Sequence, residues 1–214
     1  MATLLVIGAS QGIGLETVKC ALAAGHDVRA FARGAGHIAI DDDRLIKITG
    51  DALDAAAIAD AVTGAHAVIQ TIGAPKTAMA VLAGTTVFSK ATRILIDAMR
   101  AAEVRRLVAV TGLGAGDSRG HGGLLYDALM FPLVLKRIYD DKDVQEQMIR
   151  ASGLVWTIAR PGLLTGGAAS GRMRVLADRK HWQAGSVTRA DVADFLVREA
   201  FEQRYVNETP LLIQ

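Results

Sequence analysis

The stretch TLLVIGASQGIGLETV, residues 3–18, joins an apolar run to three closely spaced glycines and then to a helical pattern. The apolar run at residues 4–7 is typical of a strand that is buried on both faces. Glycines at Gly8, Gly12 and Gly14 would form the turn into the helix. This spacing fits a loop that binds a phosphate at the helix N-terminus, and it also fits a purely structural turn. Other parts of the chain are needed to decide between a phosphate-binding loop and a structural turn.

The composition favours one globular domain over residues 1–214. The chain is 51% hydrophobic and 21% charged, which is enough apolar material for one sizeable core. Its net charge of +2 is spread along the chain, so we expect small-molecule partners and no nucleic acid. Cys20 is the single cysteine, which predicts no disulfide and no metal site. We expect a cytoplasmic protein without a targeting segment or membrane span.

Apolar runs alternate with helical patterns along the whole chain. A βαβα order of this kind implies a parallel sheet with right-handed crossovers. The sequence therefore predicts an α/β fold, a single doubly wound Rossmann domain with a mostly parallel sheet of six to seven strands. The predicted strands are residues 4–7, 28–32, 45–48, 67–72, 107–110, 155–159 and 211–213.

One region interrupts this regular alternation. Residues 112–123 carry six glycines in twelve positions and lead into an apolar stretch at residues 124–135. That stretch is either a core helix that accommodates Pro132 or a mobile apolar lid over a ligand. His121 lies in the glycine-rich part, where it is either solvated or able to close over a site.

The βαβ context favours phosphate binding at the opening glycines, with Ser10 and Gln11 placed to donate hydrogen bonds. The second strand ends in Arg33, whereas folds that prefer NAD usually place an acidic residue there. A guanidinium pairs with a 2'-phosphate, so Arg33 predicts NADP(H), the alternative being an ordinary surface charge. Asp51 follows the third strand and could accept from an adenine amino group, and Asp51 or Asp54 could also cap a helix.

Several motifs together resemble the atypical short-chain dehydrogenases/reductases, over nearly the whole chain. The motifs are the glycine loop, Arg33, GDALD at 50–54, IQTIG at 69–73, VAVTG at 108–112 and DKDVQEQMIRASGLVWTIARPG at 141–162. Within that group the chain is most similar to the branch of NADPH-dependent flavin reductase and biliverdin-IXβ reductase, with its bacterial NAD(P)H-binding relatives. The resemblance implies a Rossmann fold and NADP(H) as the cofactor.

The resemblance also implies roles for individual residues. Thr111 would occupy the position of the family's catalytic serine or threonine, and Lys142 that of its lysine. The cofactor positions that it implies are Gly8, Ser10, Gln11, Gly12 and Ile13 for the pyrophosphate, Arg33 for the 2'-phosphate, Asp51 and Ala52 for the adenine, Thr71, Ile72 and Gly73 for the adenosine ribose side, and Pro161, Gly162 and Leu163 for the nicotinamide, with Thr111 and Lys142 also near the cofactor.

The chain departs from the family at two positions. Short-chain dehydrogenases carry Tyr-x-x-x-Lys, but Ile138 stands at the tyrosine position and Tyr139 comes one residue late. Tyr139 shares a helix face with Lys142, so it is either a displaced catalytic tyrosine or a structural one. Biliverdin-reducing relatives carry a histidine near the late Pro-Gly, where Gly162 and Leu163 stand here, which argues against biliverdin as the substrate.

These departures favour hydride transfer to a flavin-like or quinone-like acceptor, which collects its proton from water, over reduction of a simple carbonyl. The alternatives are an NADP(H)-binding redox sensor without turnover and a carbonyl reductase that uses Tyr139. The late segment 170–182 holds four basic residues that either bind an anionic group of the acceptor or form a solvated hairpin. They are Arg172, Arg174, Arg179 and Lys180. Thr188 and Asp191 predict a capped helix after that segment.

Overall fold

The computed structural model describes residues 2–73, 85–118, 120 and 136–214. The prediction for residues 124–135 and the one for His121 lie outside these residues, as does most of the glycine-rich stretch beyond residue 118.

Strands and helices alternate through the described chain. The strands are β1 Thr3–Ile7, β2 Asp27–Ala32, β3 Leu45–Thr49, β4 Ala67–Gln70, β5 Arg106–Val110, β6 Val155–Pro161, β7 Leu163–Thr165, β8 Arg174–Leu176, β9 Ser186–Thr188 and β10 Leu211–Ile213. The helices are α1 Gly12–Ala23, α2 Ala55–Val62, α3 Val87–Ala101, α4 Lys136–Arg150 and α5 Arg189–Glu202. Short 3-10 turns cover Ala35–His37, Gly116–Ser118 and Arg179–His181.

The main sheet has eight strands in the order β3-β2-β1-β4-β5-β6-β10-β8. All neighbours pair in parallel except β10 and β8, which are antiparallel. The predicted doubly wound α/β fold is confirmed, and each of the seven predicted runs contains a strand. The predicted number of strands was too low because β8, Arg174–Leu176, is short and begins with an exposed arginine, whereas the equally short β10 is apolar throughout.

The late basic segment differs from the solvated hairpin that the sequence allowed. Its β8 strand forms an edge of the main sheet and pairs with β10. Two further short strands, β7 and β9, form a separate parallel pair. Part of the chain after β6 therefore belongs to the main sheet and does not form a separate solvated hairpin.

Two apolar cores lie on the two faces of the sheet. On one face, Leu4 and Val6 of β1 pack with residues of α1 and α5 such as Val18 and Leu196. On the other face, Leu5 and Ile7 pack with residues of α2, α3 and α4. Alternate side chains of β1 thus enter opposite cores, which is why the strand is apolar at every position.

The predicted cap of the last helix is confirmed. Thr188 accepts a hydrogen bond from the Asp191 backbone N–H at 3.0 Å and donates its hydroxyl to the Asp191 carboxylate at 2.8 Å. Burial alone would raise the pKa of Asp191, but hydrogen bonds from Ser170, Thr188 and Gln214 outweigh it and lower the pKa to about 2. The Asp191 carboxylate therefore links two distant parts of the chain, at Ser170 and at Gln214, to the start of α5.

No helix among the described residues is long and apolar enough to cross a membrane. Within the same residues, the His, Cys, Asp and Glu side chains form no group that could hold a metal ion.

Gly14 allows α1 to pack closely against the turn after β1 and against Thr71 after β4. A Cβ atom at this position would lie 2.2 Å from the Gly8 carbonyl oxygen and 2.6 Å from Thr71 Oγ1. Gly36 offers a matched control, because the nearest atom to its added Cβ would be Thr49 Oγ1 at 3.6 Å, an ordinary contact.

We expect Gly14→Ala to lower the free energy of unfolding by at least about 2 kcal/mol, because backbone must move to relieve the overlap. Gly36→Ala should change it by less than about 1 kcal/mol. Urea unfolding followed by circular dichroism measures both. Equal stability of the two variants would contradict the close approach of α1 to β1.

Candidate functional site

The turn between β1 and α1 combines two glycine conformations with different consequences. Gly8 has a φ of +87°, and an added Cβ would lie 2.8 Å from the Thr71 carbonyl oxygen, so this glycine permits the tight turn. Gly12 has a φ of +58°, and no atom of the described part of the chain lies within 4 Å of its added Cβ. The described residues therefore leave the backbone at Gly12 open to close approach by a ligand.

Among the residues that the structure describes, no side chain caps the start of α1. By contrast, Asp54 caps α2, Thr188 caps α5, and the carboxylate of Asp141 accepts from the first backbone N–H groups of α3. The first N–H groups of a helix need an acceptor, and the helix dipole favours a negative one. The uncapped start of α1, with Gln11 and Gly12 exposed, thus fits a phosphate group.

Two further residues of this loop were predicted to line a pyrophosphate. Ser10 is partly exposed beside the turn, and Ile13 is half-buried where its side chain packs against the core. Their role in binding a phosphate stays a prediction.

The end of β2 lies beside this loop. An added Cβ at Gly34 would lie 3.5 Å from the Ser10 Oγ atom, so the turn that follows Arg33 contacts the glycine loop. Arg33 itself is exposed. Its position next to the helix start suits a guanidinium that binds a second phosphate.

Of the two candidate capping carboxylates after β3, Asp54 is the helix cap. It accepts from the N–H groups of Ala56 and Ala57 at 3.0 and 3.1 Å. Asp51 accepts from the Leu53 N–H at 3.0 Å and is exposed, while the neighbouring Ala52 packs partly against the core.

The residues after β4 divide into structural and open positions. Thr71 is buried, and its hydroxyl donates to the Ile7 carbonyl at 2.9 Å, so this side chain joins β4 to β1. Ile72 is half-buried, whereas Gly73 is exposed, and no atom of the described residues lies within 4 Å of an added Cβ there.

A buried ion pair lies beneath Thr111. The Thr111 hydroxyl donates to Glu146 Oε1 at 2.8 Å, and Arg160 donates to both oxygens of the same carboxylate, at 2.9 Å from Nε and 2.5 Å from Nη2. Glu146 is 2% and Arg160 0% exposed. Arg160 also donates to Asp117 at 2.5 Å and lies over the ring of Trp182. Hydrogen bonds through Glu146 and Arg160 thus connect Thr111 to α4, to β6 and to Asp117.

The pKa directions agree with this arrangement. Burial would lower the pKa of Arg160, but the hydrogen bonds and charges of Glu146 and Asp117 outweigh it and raise that pKa. Burial would likewise raise the pKa of Asp117, but Arg160 holds it below its usual range. Sequence reasoning missed Glu146, Arg160 and Asp117. The available signal was an arginine inside the apolar strand VWTIARP, since a charge so placed needs a buried partner.

Tyr139 and Lys142 lie on the same helix but contact different neighbours. An added Cβ at Gly112 would lie 2.9 Å from the Tyr139 hydroxyl, so this hydroxyl reaches the residue after Thr111. The Lys142 ammonium lies 4.3 Å from the ring centre of Phe88 on α3. Ile138, at the family's tyrosine position, is 3% exposed and packed away.

Burial lowers the pKa of Lys142 to about 8, from an ordinary value of 10.5, although Glu146 and Asp141 act to raise it. A lysine amine with this pKa titrates close to neutral pH, where it can hold or release a proton.

The last predicted cofactor residues follow β6. Pro161 ends the strand in a buried position, and the Gly162 N–H donates to the Leu212 carbonyl at 2.9 Å. An added Cβ at Gly162 would lie 2.3 Å from the Gly185 carbonyl oxygen, so only glycine fits there. Leu163 is 74% exposed and presents an apolar side chain at this edge of the sheet.

The four basic residues of the late segment are not equivalent. Arg179 pairs with Asp117 at 3.2 Å, which ties it to the buried network. All four are exposed, and Arg174 lies on β8.

A cavity of about 440 Å³ lies between α4 and the loop after β5. Its lining is Gly116, Asp117, Asp143, Glu146, Gln147 and Arg150. The charged side chains there already pair with one another or with backbone, as Asp143 does with the Gly116 N–H at 2.6 Å. This polar cavity differs from the flat apolar pocket that a conjugated acceptor requires.

Comparisons with known proteins agree with this geometry. The model of the NAD(P)H-binding family matches residues 8–203. ChuY from Escherichia coli O157:H7, an anaerobilin reductase, is 29% identical with a TM-score of 0.80, over 99% of this chain and 96% of that one. ChuY from E. coli CFT073 is 27% identical with a TM-score of 0.75, over 100% and 97%.

A short-chain dehydrogenase/reductase from Veillonella parvula, solved in complex with NADP, shares the fold at 15% identity. Its TM-score is 0.83, and the match covers 100% of this chain and 94% of that one.

We expect Lys142→Met to stabilise the fold at about pH 7, because a buried ammonium with a lowered pKa destabilises the folded state. The difference between pKa values of about 8 folded and 10.5 unfolded corresponds to about 3 kcal/mol. The penalty is complete below the folded pKa and is relieved as pH rises from there to the unfolded pKa.

Urea unfolding at about pH 7 and about pH 10 measures this effect. The gain of the methionine variant should shrink at the higher pH, whereas the exposed Lys90→Met should show no such pH dependence. A Lys142→Met variant that is less stable than the wild type at both pH values would show that Lys142 is not a buried charge.

Proposed function

Because this chain belongs to the NAD(P)H-binding family, we propose that it is an NADPH-dependent reductase that transfers a hydride to a flavin-like or quinone-like acceptor. The observation that carries the proposal is the start of α1, which no described side chain caps, in a loop that the turn after the exposed Arg33 contacts through Gly34 and Ser10. This arrangement is suited to a pyrophosphate with a further phosphate nearby.

In this proposal the two ends of the cofactor are held by different parts of the sheet edge. The loop of Gly8, Ser10, Gln11, Gly12 and Ile13 holds the pyrophosphate through backbone N–H groups. The adenosine end is held by Arg33, Asp51, Ala52, Thr71, Ile72 and Gly73, and the nicotinamide end by Thr111, Lys142, Pro161, Gly162 and Leu163. The chemistry that bound NADPH supplies is a hydride for the acceptor.

The choice of acceptor follows from the proton that the reaction needs. A simple ketone becomes basic at oxygen as it is reduced, so a placed acid contributes about 10²- to 10⁴-fold. The family's tyrosine position holds the buried Ile138 here. A flavin or quinone accepts hydride into a conjugated system and takes its proton from water, so it does not need that acid. Since the relative ChuY is an anaerobilin reductase, a bilin belongs among the acceptors to test.

Two other functions each have an observation in their favour. A carbonyl reductase is supported by the Tyr139 hydroxyl, which lies against Gly112 next to Thr111. A redox sensor that binds NADP(H) without turnover is supported by the buried Ile138. The proposal also includes a single domain over residues 1–214 that acts on small molecules in the cytoplasm.

The proposed function is tested by measuring the oxidation of NADPH, through its loss of absorbance, with one candidate acceptor at a time. The acceptors are riboflavin, FMN, small quinones, a bilin and simple aldehydes. We expect turnover with the conjugated acceptors and little with aldehydes. Aldehyde reduction that disappears in Tyr139→Phe would favour the carbonyl reductase instead. Tight NADPH binding without any turnover would favour the sensor.

We expect Arg33→Ala to weaken NADPH binding by at least about tenfold and NADH binding by less than about threefold, because only NADPH carries the 2'-phosphate that the guanidinium would bind. Arg93→Ala is the matched control, since Arg93 is also exposed but lies on α3. Dissociation constants from nucleotide fluorescence measure both. Equal loss of NADPH and NADH affinity would contradict the role of Arg33.

A further inference from the structure

The ammonium of Lys142 lies over the face of an aromatic ring. Its Nζ atom is 4.3 Å from the ring centre of Phe88, and both side chains are buried. The face of an aromatic ring carries partial negative charge, which attracts a cation more strongly where water is excluded. Phe88 therefore contacts the lysine through the one part of its side chain that favours a positive charge.

Contacts at two levels of the helix pair hold this ring in place. The Asp141 carboxylate accepts from the Phe88 N–H at 2.9 Å, so the residue before the lysine caps the helix that carries the ring. One turn further along, Thr92 of α3 and Gln145 of α4 both donate to Gln70 Oε1, each at 3.1 Å. These hydrogen bonds fix α3 against α4, and with it the ring against the ammonium.

The two carboxylates that act on Lys142 are bonded to other groups. Burial and the charges of Glu146 and Asp141 influence the pKa of Lys142. The Glu146 oxygens, however, accept hydrogen bonds from Arg160 and Thr111, and Asp141 accepts from the start of α3. The ring face thus supplies a direct contact to the ammonium in addition to these charges.

The other described titratable groups around the lysine face elsewhere. On α4, the Tyr139 hydroxyl lies against Gly112, where an added Cβ would be 2.9 Å away. From the sheet, Arg160 is bound to the Glu146 carboxylate. The charged residues of α3 are exposed, namely Lys90, Arg93, Asp97 and Arg100. Phe88 is therefore the contact through which α3 acts on the charge of Lys142.

We propose that Phe88 is a positioning residue that holds Lys142 and stabilises its charged form, so that the ring sets the pH at which this amine releases its proton. Burial lowers the pKa of Lys142, and the ring opposes that effect. The charge of the lysine is a property of the folded chain. Its consequence for turnover rests on the proposed function, in which Lys142 lies at the nicotinamide end.

A different role for Phe88, as an apolar screen only, predicts the opposite effect of a smaller aliphatic residue. If the ring face stabilises the ammonium, Phe88→Leu removes that stabilisation and lowers the pKa of Lys142. If the ring only screens the amine, the smaller leucine admits water and raises the pKa toward its ordinary value of 10.5. The sign of the shift therefore distinguishes the two roles.

The pKa of Lys142 can be measured by NMR titration of isotope-labelled lysine ε-carbons, whose chemical shift follows the charge of the amine. The signal of Lys142 is the one that is missing from Lys142→Met. The variants are Phe88→Leu and a protein with trifluorophenylalanine at position 88, which keeps the ring but weakens the negative charge of its face. Phe195→Leu is the matched control, since Phe195 is also buried but packs in the core on the other face of the sheet.

We expect the pKa of Lys142 to fall by at least about half a unit in Phe88→Leu and in the fluorinated protein, and to change by less than about 0.2 unit in Phe195→Leu. An unchanged or raised pKa in the fluorinated protein would overturn the inference, whatever Phe88→Leu shows, because there the charge of the ring is what changes. If urea unfolding shows that Phe88→Leu does not fold, the fluorinated protein decides the question.

Turnover tests the proposed function separately. With an acceptor that is reduced, the pH at which kcat changes should move in the fluorinated protein in the same direction as the pKa of Lys142. A lowered pKa without turnover in any protein would contradict the reductase and leave the inference standing. Turnover with an unchanged pKa in the fluorinated protein would contradict the inference and leave the reductase standing.

Discussion

The second half of the candidate site depends on the ion pair between Arg160 and Glu146. A full charge near the end of β6 would be very unfavourable without a partner, because Arg160 is fully buried. The bidentate carboxylate from α4 supplies that partner, and Asp117 supplies a second one. The pair therefore fixes the position of α4, which carries Tyr139 and Lys142, relative to the ends of β5 and β6. Removing either partner would leave the other charge buried with only its second partner, Asp117 for Arg160 and Arg150 for Glu146.

The local features of the chain were predictable from the sequence, because each depends on residues close together in it. The glycine loop, the runs that become β1 to β6 and β10, and the Thr188–Asp191 cap are all of this kind. The Glu146–Arg160 pair joins residues on different elements, and Asp141 caps a helix that begins more than fifty residues earlier. Such contacts form only when the elements pack together, so local sequence patterns do not predict them. The local indication that does exist is a charged residue in an otherwise apolar run.

The two halves of the chain contribute differently to the sheet edge. The open positions at Gly12 and Gly73, and the exposed Arg33, come from the first half, around β1, β2 and β4. Thr111, Lys142 and the exposed Leu163 come from the second half, together with the buried charges that position them. Substitutions around β7, β8 and the 3-10 turn Arg179–His181 can therefore change the second half of this edge while the glycine loop stays intact. This separation is consistent with one fold serving different acceptors.

The proposed phosphate site at the start of α1 would make the bound nucleotide part of the energetics of folding. In that proposal, the pyrophosphate accepts hydrogen bonds of the kind that Asp54, Asp141 and Thr188 accept at the starts of other helices. Occupancy by a nucleotide then adds to the free energy of unfolding in proportion to the logarithm of its concentration, about 2.7 kcal/mol at a hundred times the dissociation constant. Resistance of this protein to heat and to proteolysis would thus follow the nucleotide supply of the cell.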